Sequence, residues 1–232
     1  MTRPTACMIL AAGFGTRMGA LTKDRPKPLL KVAGRPLVDH ALAQARAAGV
    51  ARIVVNGHYH AAMMRAHLAG QPDVLFCEEA PQILDSAGGI RHALPLLSAD
   101  TIFTLNADAV WTGPGALCQL AQAWDPALMD VLALMVPQSR AVGRSAGGDF
   151  AADAEGRLTW DKGGMVYTGA QILKTGLLGG YPEGPFSLHA VWRAAMARGR
   201  MFGTVHAGGW ADVGHPEGIS LAEAMLREAP DV

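Results

Sequence analysis

Residues 8–30, reading MILAAGFGTRMGALTKDRPKPLL, constrain this chain more than any other stretch. The run opens apolar, turns at Gly13-Phe14-Gly15, and then sets Thr16, Arg17 and Lys27 beyond the turn. A buried strand that stops at glycines ends in a loop whose backbone can approach a ligand, because no Cβ stands in the way. Free amide hydrogens in such a loop form a cradle for anions, and Arg17 and Lys27 add fixed positive charge beside it. Pro26 and Pro28 flank Lys27 and restrict the path of its backbone. The combination suits a polyphosphate.

Two common glycine loops do not fit the spacing. In Gly13-x-Gly15-x-x-x-Gly19 the third glycine comes one residue late for a dinucleotide fingerprint, and no Gly-Lys-Ser/Thr follows as a Walker loop requires. The whole string instead resembles the signature of the nucleotidyltransferases that make nucleotide-sugars. There a leucine, two glycines, Thr-Arg, Leu-Thr and Pro-Lys-Pro-Leu follow in this order. Ala20 stands where most of those enzymes carry proline.

Half of the 232 residues are hydrophobic, enough for an ample core, and the formal net charge is zero. Without a basic excess, nothing drives nonspecific binding to nucleic acid or to an anionic membrane. The early apolar run breaks at Gly13, so neither a signal peptide nor a membrane span is expected. Cys7, Cys77 and Cys118 are widely separated and lack CxxC spacing, which predicts reduced thiols in a cytoplasmic protein.

The first half of the chain alternates strand and helix. Residues 6–12 predict a strand, 36–49 a helix, 52–55 a strand, 60–69 a helix and 74–77 a third strand. Ser86 is expected to cap a helix running to Leu97, and 101–105 forms strand four. This rhythm predicts an α/β fold, a Rossmann-like three-layer sandwich on a mostly parallel, mixed sheet. Beyond residue 112 the pattern gives a helix at 114–124, a strand at 131–136, a helix at 187–198, a strand at 201–206 and a closing helix at 216–228. Within the glycine-rich segment 138–170, the runs 157–160 and 165–168 are expected to add antiparallel strands as a small lobe. No repeat or linker divides the chain, so a single domain over 1–232 is expected.

In an open parallel sheet, ligands gather outside the carboxyl ends of the strands. Asp108, in Asn106-Ala107-Asp108, follows such a strand and is placed either to hold magnesium against phosphates or to cap its turn. The segment resembles the family's strand-end Gly-Asp, with Ala107 in place of glycine. Trp210-Ala211-Asp212-Val213-Gly214 is similar to the family's Trp-x-Asp-x-Gly, and the resemblance implies that Asp108 and Asp212 share Mg2+. His215 beside it reads as a helix-entry residue. The turn Leu84-Asp85-Ser86-Ala87-Gly88-Gly89-Ile90 resembles the family's base-recognition turn. That implies a nucleobase near Gly88 and Gly89, with Glu79 or Gln82 reaching it. Gly148-Asp149-Phe150 and Tyr167-Thr168-Gly169 resemble segments lining the sugar, which implies Asp149 and Thr168 as sugar ligands, with Asp161 and Lys162 near them in sequence. The glycine-rich stretch 142–148 is expected to leave room for a lactyl ether on that sugar. His58-Tyr59-His60 has no third ligand in sequence and reads as loop surface.

The reaction implied by the resemblance joins a sugar-1-phosphate to a nucleoside triphosphate, giving a nucleotide-sugar and pyrophosphate. The nucleotide would lie along Leu10, Ala11, Ala12, Gly13, Gly15 and Thr16, with the amides of 11–15 cradling phosphate. Arg17 would serve the triphosphate and leaving group, and Lys27 the reacting phosphates. A phosphate monoester, with a second pKa of about 6, needs no general base. The chain carries no β-helix repeats and resembles the short members, most of all the N-acetylmuramate-1-phosphate uridylyltransferases of cell-wall recycling, as a monomer or homodimer. Two alternatives are a mannose-1-phosphate guanylyltransferase-like enzyme and an inactive nucleotide-sugar sensor; the sensor should have lost an acid or the Arg/Lys pair. A methyltransferase or dehydrogenase would leave Arg17, Pro-Lys-Pro and Asp212 without a role.

Overall fold

A computed structural model describes residues 3–229 of the chain. Its frame is a seven-stranded sheet in the order Met201–Val205, Val131–Val136, Val166–Lys174, Thr101–Asn106, Ala6–Leu10, Arg52–Gly57, Val74–Glu78. Every neighbouring pair is parallel except the two made by Val166–Lys174. The mostly parallel, mixed sheet read from the alternation is therefore present.

Side chains alternate across each strand, and both faces are dry. Cys7 and Ile9 enter one core while Ala6 and Met8 enter the other; Leu132, Leu134 and Val136 oppose Val131, Ala133 and Met135 in the same way. Strands buried on both faces read as continuous apolar runs, which is why the sequence marks them so clearly. The helices Leu37–Ala47, Ala61–Leu68 and Ala116–Ala123 cover the first face. Asp85–Leu97 and Leu188–Ala197 cover the second.

A third, smaller core lies beneath the signature loop, built from Met18, Leu30, Leu37, Val110, Ala211 and Val213 among others. Its backbone is a short sheet in which Trp210–Asp212 pairs antiparallel with Ala109–Trp111 and parallel with Ala141–Val142. The closing helix Glu217–Glu228 packs on it through Ala222. These strands are two or three residues long, too short for any periodicity to register.

Two expectations need correction. Of residues 165–168 only Met165 joins the lobe, in an antiparallel bridge to Phe150; 166–168 open the nine-residue strand Val166–Lys174, which runs antiparallel inside the main sheet and bulges between Tyr167 and Gln171. Buried Thr168 and Gln171 and the bulge break the apolar run that would have marked it. The small antiparallel lobe is the hairpin of Phe150–Ala152 with Leu158–Trp160. Ser86 does not cap the helix that begins at Asp85; its hydroxyl accepts the Leu188 amide at 3.0 Å and ties two helices together. Among the described residues no helix is long and apolar enough to cross a membrane, and all three cysteines are free thiols.

Candidate active site

The strand Ala6–Leu10 has Arg52–Gly57 on one side and Thr101–Asn106 on the other. The chain winds outward in one direction and then returns to the opposite side of its first strand. The crevice at those carboxyl ends is therefore the topological switch point, where open α/β sheets bind ligands. The signature loop leaves from it. Gly15 has φ +66°, and a Cβ there would lie 2.9 Å from Lys27 Cβ, so only glycine lets the loop close over Lys27. Thr22 Oγ1 donates to the Gly15 carbonyl at 3.0 Å, and the Tyr59 hydroxyl donates to the Thr22 carbonyl at 3.1 Å. Lys27 is thereby held buried with Nζ 2.8 Å from Asp108 Oδ2.

The short sheet explains how two acids far apart in sequence meet. Asp212 pairs in register with Ala109, and the Val213 amide donates to the Asp108 carbonyl at 2.9 Å. Burial pushes the Asp212 carboxyl above the usual range, and the charge on Asp108 pushes it further; Lys27, Arg17 and Arg144 pull the other way. A carboxyl raised first by burial and then by a second carboxylate beside it marks a site short of positive charge. A hard divalent cation such as Mg2+ fits that deficit. No group of three His, Cys, Asp or Glu among the described residues converges to cage a metal. Two carboxylates with the remaining positions left to phosphate oxygens and water is the usual way Mg2+ is held.

Two cavities open on this crevice, one of about 330 Å³ and one of about 320 Å³, and Arg17, Asn106 and Asp108 border both. Leu10, Ala11, Ala12, Gly13, Gly15 and Thr16 line the first. The Ala11 amide, however, is taken by Asn56 Oδ1 at 2.7 Å, so it is not a phosphate donor and the open part of the loop starts after it. Asn56 Nδ2 donates to Glu79 Oε1 at 2.6 Å, and Glu79 Oε2 accepts the Leu84 amide at 2.7 Å. Glu79 is thus a buried wall residue of the first cavity, whereas Gln82 is exposed and outside it. Asn56 escaped the sequence reading, although an asparagine closing the apolar run Ile53-Val54-Val55 at a carboxyl strand end was a usable sign.

Gly88 and Gly89 do not border the first cavity. A Cβ on Gly88 would sit 3.0 Å from the Gly184 carbonyl, and one on Gly89 would collide with the Glu79 carboxylate. Protein fills the side-chain direction of both glycines, and from this turn Ile83, Asp85 and Ser86 border the cavity.

Asp149 and Thr168 line the second cavity. Asp149 accepts Arg144 Nη2 at 2.9 and 3.2 Å and the Tyr167 amide at 2.9 Å. The Thr168 hydroxyl donates to the Leu134 carbonyl at 2.7 Å, so its hydrogen is already spent. Asp161 accepts the Gly163 amide at 2.8 Å, and neither it nor Lys162 nor His215 borders either cavity. Of the stretch 142–148 only Arg144 borders the second cavity, and a Cβ on Gly148 would collide with the Gly164 carbonyl, so the space against that glycine is taken by protein. His58 and His60 point Nδ1 and Nε2 at the carbonyls of Glu79 and Lys23 and hold loops. Tyr167, from the Tyr167-Thr168-Gly169 segment, also lines the second cavity, as do Arg144, Trp160 and His189, which no sequence motif marks.

This loop, its paired acids and its twin cavities can be set against known proteins. Residues 7–213 match the MobA-like NTP transferase domain. The chain belongs to that family. This NTP transferase is 40% identical to the N-acetylmuramate α-1-phosphate uridylyltransferase of Caulobacter vibrioides, over 97% of its own length and 98% of the relative's. It is 32% identical to the enzyme of that name from Neisseria meningitidis, over 94% and 96%. The inositol-1-phosphate CTP transferase of T. maritima shares its fold, with a TM-score of 0.77, 15% identity and 99% of each chain covered.

Proposed function

We propose that the chain is a cytoplasmic N-acetylmuramate-1-phosphate uridylyltransferase of cell-wall recycling, working as one catalytic domain. The observation that carries the reading is the junction: two cavities meet at Arg17 and Asp108, with Lys27 bordering the first and Asp212 the second. A reaction between two phosphorylated molecules needs such a junction. The uridine nucleotide lies along the signature loop in the first cavity, and the sugar phosphate enters from the second. The sugar phosphate is largely dianionic at neutral pH and attacks without a base. One of its oxygens bonds to the α-phosphorus of UTP as the bond to the departing pyrophosphate breaks. Asp108 and Asp212 would hold Mg2+, which supplies positive charge against the phosphate oxygens when bound.

The remaining work is positioning and charge. Arg17 reaches both substrates, and its planar fork suits phosphate oxygens that gain charge as the bond breaks. Lys27 is fixed by its ion pair with Asp108 and by the loop closed over it, so its ammonium meets the phosphates without reorganisation. The choice of uridine and N-acetylmuramate is supported by the two relatives of that name, which match nearly the whole chain.

Pyrophosphate release across the four common triphosphates, crossed with muramate, glucosamine, glucose and mannose 1-phosphates, tests the reading. Release should be fastest with UTP and N-acetylmuramate 1-phosphate. A preference for GTP with mannose 1-phosphate would overturn the substrate pair and leave the reaction class standing. No release with any pair, in folded protein with MgCl2, would favour a sensor.

A further inference from the structure

The second cavity holds an exposed tryptophan that the reaction as described does not use. Trp160 ends the lobe hairpin, pairs in register with Phe150, and is 45% exposed although it lines the cavity containing Arg17, Asp108 and Asp212. Its position is fixed from behind. The Phe150 ring lies 4.7 Å away, tilted by 31°, and Phe150 is fully buried. Trp192 lies 6.1 Å away and is itself anchored through Nε1 to Gln171 Oε1 at 2.9 Å. The His189 ring meets Trp160 edge-on at 5.3 Å. A large ring held rigid and open to a cavity offers a preformed apolar face to whatever binds there. The other exposed aromatic ring, Phe14, differs in that its contacts, His58 and Tyr59, account for it locally.

The chemistry of the cavity says what covers Trp160. The Asp149 carboxylate, the Asn106 amide, the His189 imidazole and the Arg144 guanidinium stand around it, and of the three tryptophans on the lining Trp192 and Trp210 are buried while Trp160 is open. A pyranose has that same mixed character, with C–H bonds on its faces and hydroxyls around its rim. A flat aromatic plate bordered by hydrogen-bonding side chains is complementary to it. A nucleobase is also flat, but the triphosphate lies along the signature loop, and the first cavity provides the wall for its base.

We propose that Trp160 is the stacking platform for the sugar ring of the incoming pyranose 1-phosphate. This deepens the uridylyltransferase reading and rests on it. Stacking fixes the ring plane, so the phosphate at C1 points to the junction at Asp108 and Asp212. Trp160 contributes to substrate affinity and leaves the nucleotide side alone.

The test uses the full chain as wild type, Trp160→Ala and Trp160→Phe, with UTP, N-acetylmuramate 1-phosphate and MgCl2. Trp160→Ala should raise KM for the sugar phosphate about tenfold or more and keep KM for UTP within about twofold, whereas Trp160→Phe should recover most of the loss. An unchanged sugar KM in folded Trp160→Ala overturns the proposal, as do two KM values rising together or a Phe variant as weak as the Ala variant. Titrating sugar phosphate alone gives a second measurement, which does not depend on turnover or on the Ala variant folding. Wild-type tryptophan emission should change, and Trp160→Phe should lose most of that change and keep only the part owed to Trp192 and Trp210 on the same lining; an equal change in both overturns the assignment. Wild type that binds sugar phosphate in this way but releases no pyrophosphate would sink the proposed reaction and leave the platform standing.

Discussion

Asp108 and Asp212 bring the same charge into the same crevice but stand in different company. Asp108 is neutralised by Lys27 at 2.8 Å, while Asp212 is held above its ordinary pKa by burial and by Asp108. The two should therefore respond oppositely to loss of charge. A carboxyl whose folded pKa exceeds its unfolded value costs stability when ionised, so that cost is present at neutral pH and disappears as pH falls through the folded value. Asp212→Asn should raise Tm in EDTA at neutral pH, with the gain shrinking under acid, and should cut turnover by more than ~10²-fold. Asp108→Asn should lower Tm instead, because the nearly buried Lys27 ammonium loses its partner. Calorimetric scans of both variants from about pH 4 to pH 7 decide the matter, and Tm shifts of equal sign would sink the contrast. Arg17→Lys should lower kcat and restore only part of the activity that Arg17→Ala loses, since one ammonium cannot replace a fork. A variant altered in KM alone would contradict that role. Arg17, Lys27, Asp108 and Asp212 were legible in the sequence because each sits in a string of specific neighbours. Arg144 and His189 were not, because isolated polar residues in a loop and on a helix look alike whether or not they face a cavity.

At the level of elements, the first cavity depends on a relay between strand ends. Ala11, Asn56, Glu79 and Leu84 form one buried chain of hydrogen bonds linking the signature loop, the strand Arg52–Gly57 and the start of the helix Asp85–Leu97. Asn56→Ala leaves the Ala11 amide and one Glu79 oxygen without partners, at a cost of about 1–3 kcal/mol. It should also raise KM for the nucleotide more than for the sugar phosphate. Gly89→Ala should do the same by pushing the Glu79 carboxylate from its place. Wild-type nucleotide KM in both folded variants would show that the relay does not shape the nucleotide site. The long strands and the helices were readable because double burial and helical spacing leave strong patterns. The sheet Ala109–Trp111, Trp210–Asp212, Ala141–Val142 was not, and it is the element that joins the two acids. Its strands are defined by partners distant in sequence, and nothing local announces them. The strand Val166–Lys174 was half-hidden for a related reason: a bulge and buried polar residues interrupt its period where it turns the second cavity's wall toward Asn106.

Across the whole molecule, the balance of charge between the two cavities sets how the substrates must bind. Together the linings carry Arg17, Lys27 and Arg144 against Glu79, Asp85, Asp108, Asp149 and Asp212, three formal positive charges against five negative. Two anionic substrates are thus to be brought together at a place with no surplus of positive charge. Without a divalent cation each substrate should oppose the other, since the phosphates of both converge on Arg17 and on the acids beside it. Coupling between two ligands is reciprocal and is commonly worth about 1–3 kcal/mol, or roughly 5- to 150-fold in affinity. We therefore expect N-acetylmuramate 1-phosphate to weaken binding of a non-hydrolysable UTP analogue in EDTA, and the analogue to weaken sugar-phosphate binding by the same factor. Adding MgCl2 should abolish or reverse that antagonism. Asp212→Asn, which removes one of the five negative charges, should reduce it in EDTA and blunt the response to metal. Calorimetric titration of each ligand, with and without the other, gives all four quantities. Equal coupling in EDTA and MgCl2 would mean that no cation joins the substrates at Asp108 and Asp212, and that the protein's own side chains carry the whole charge of the junction.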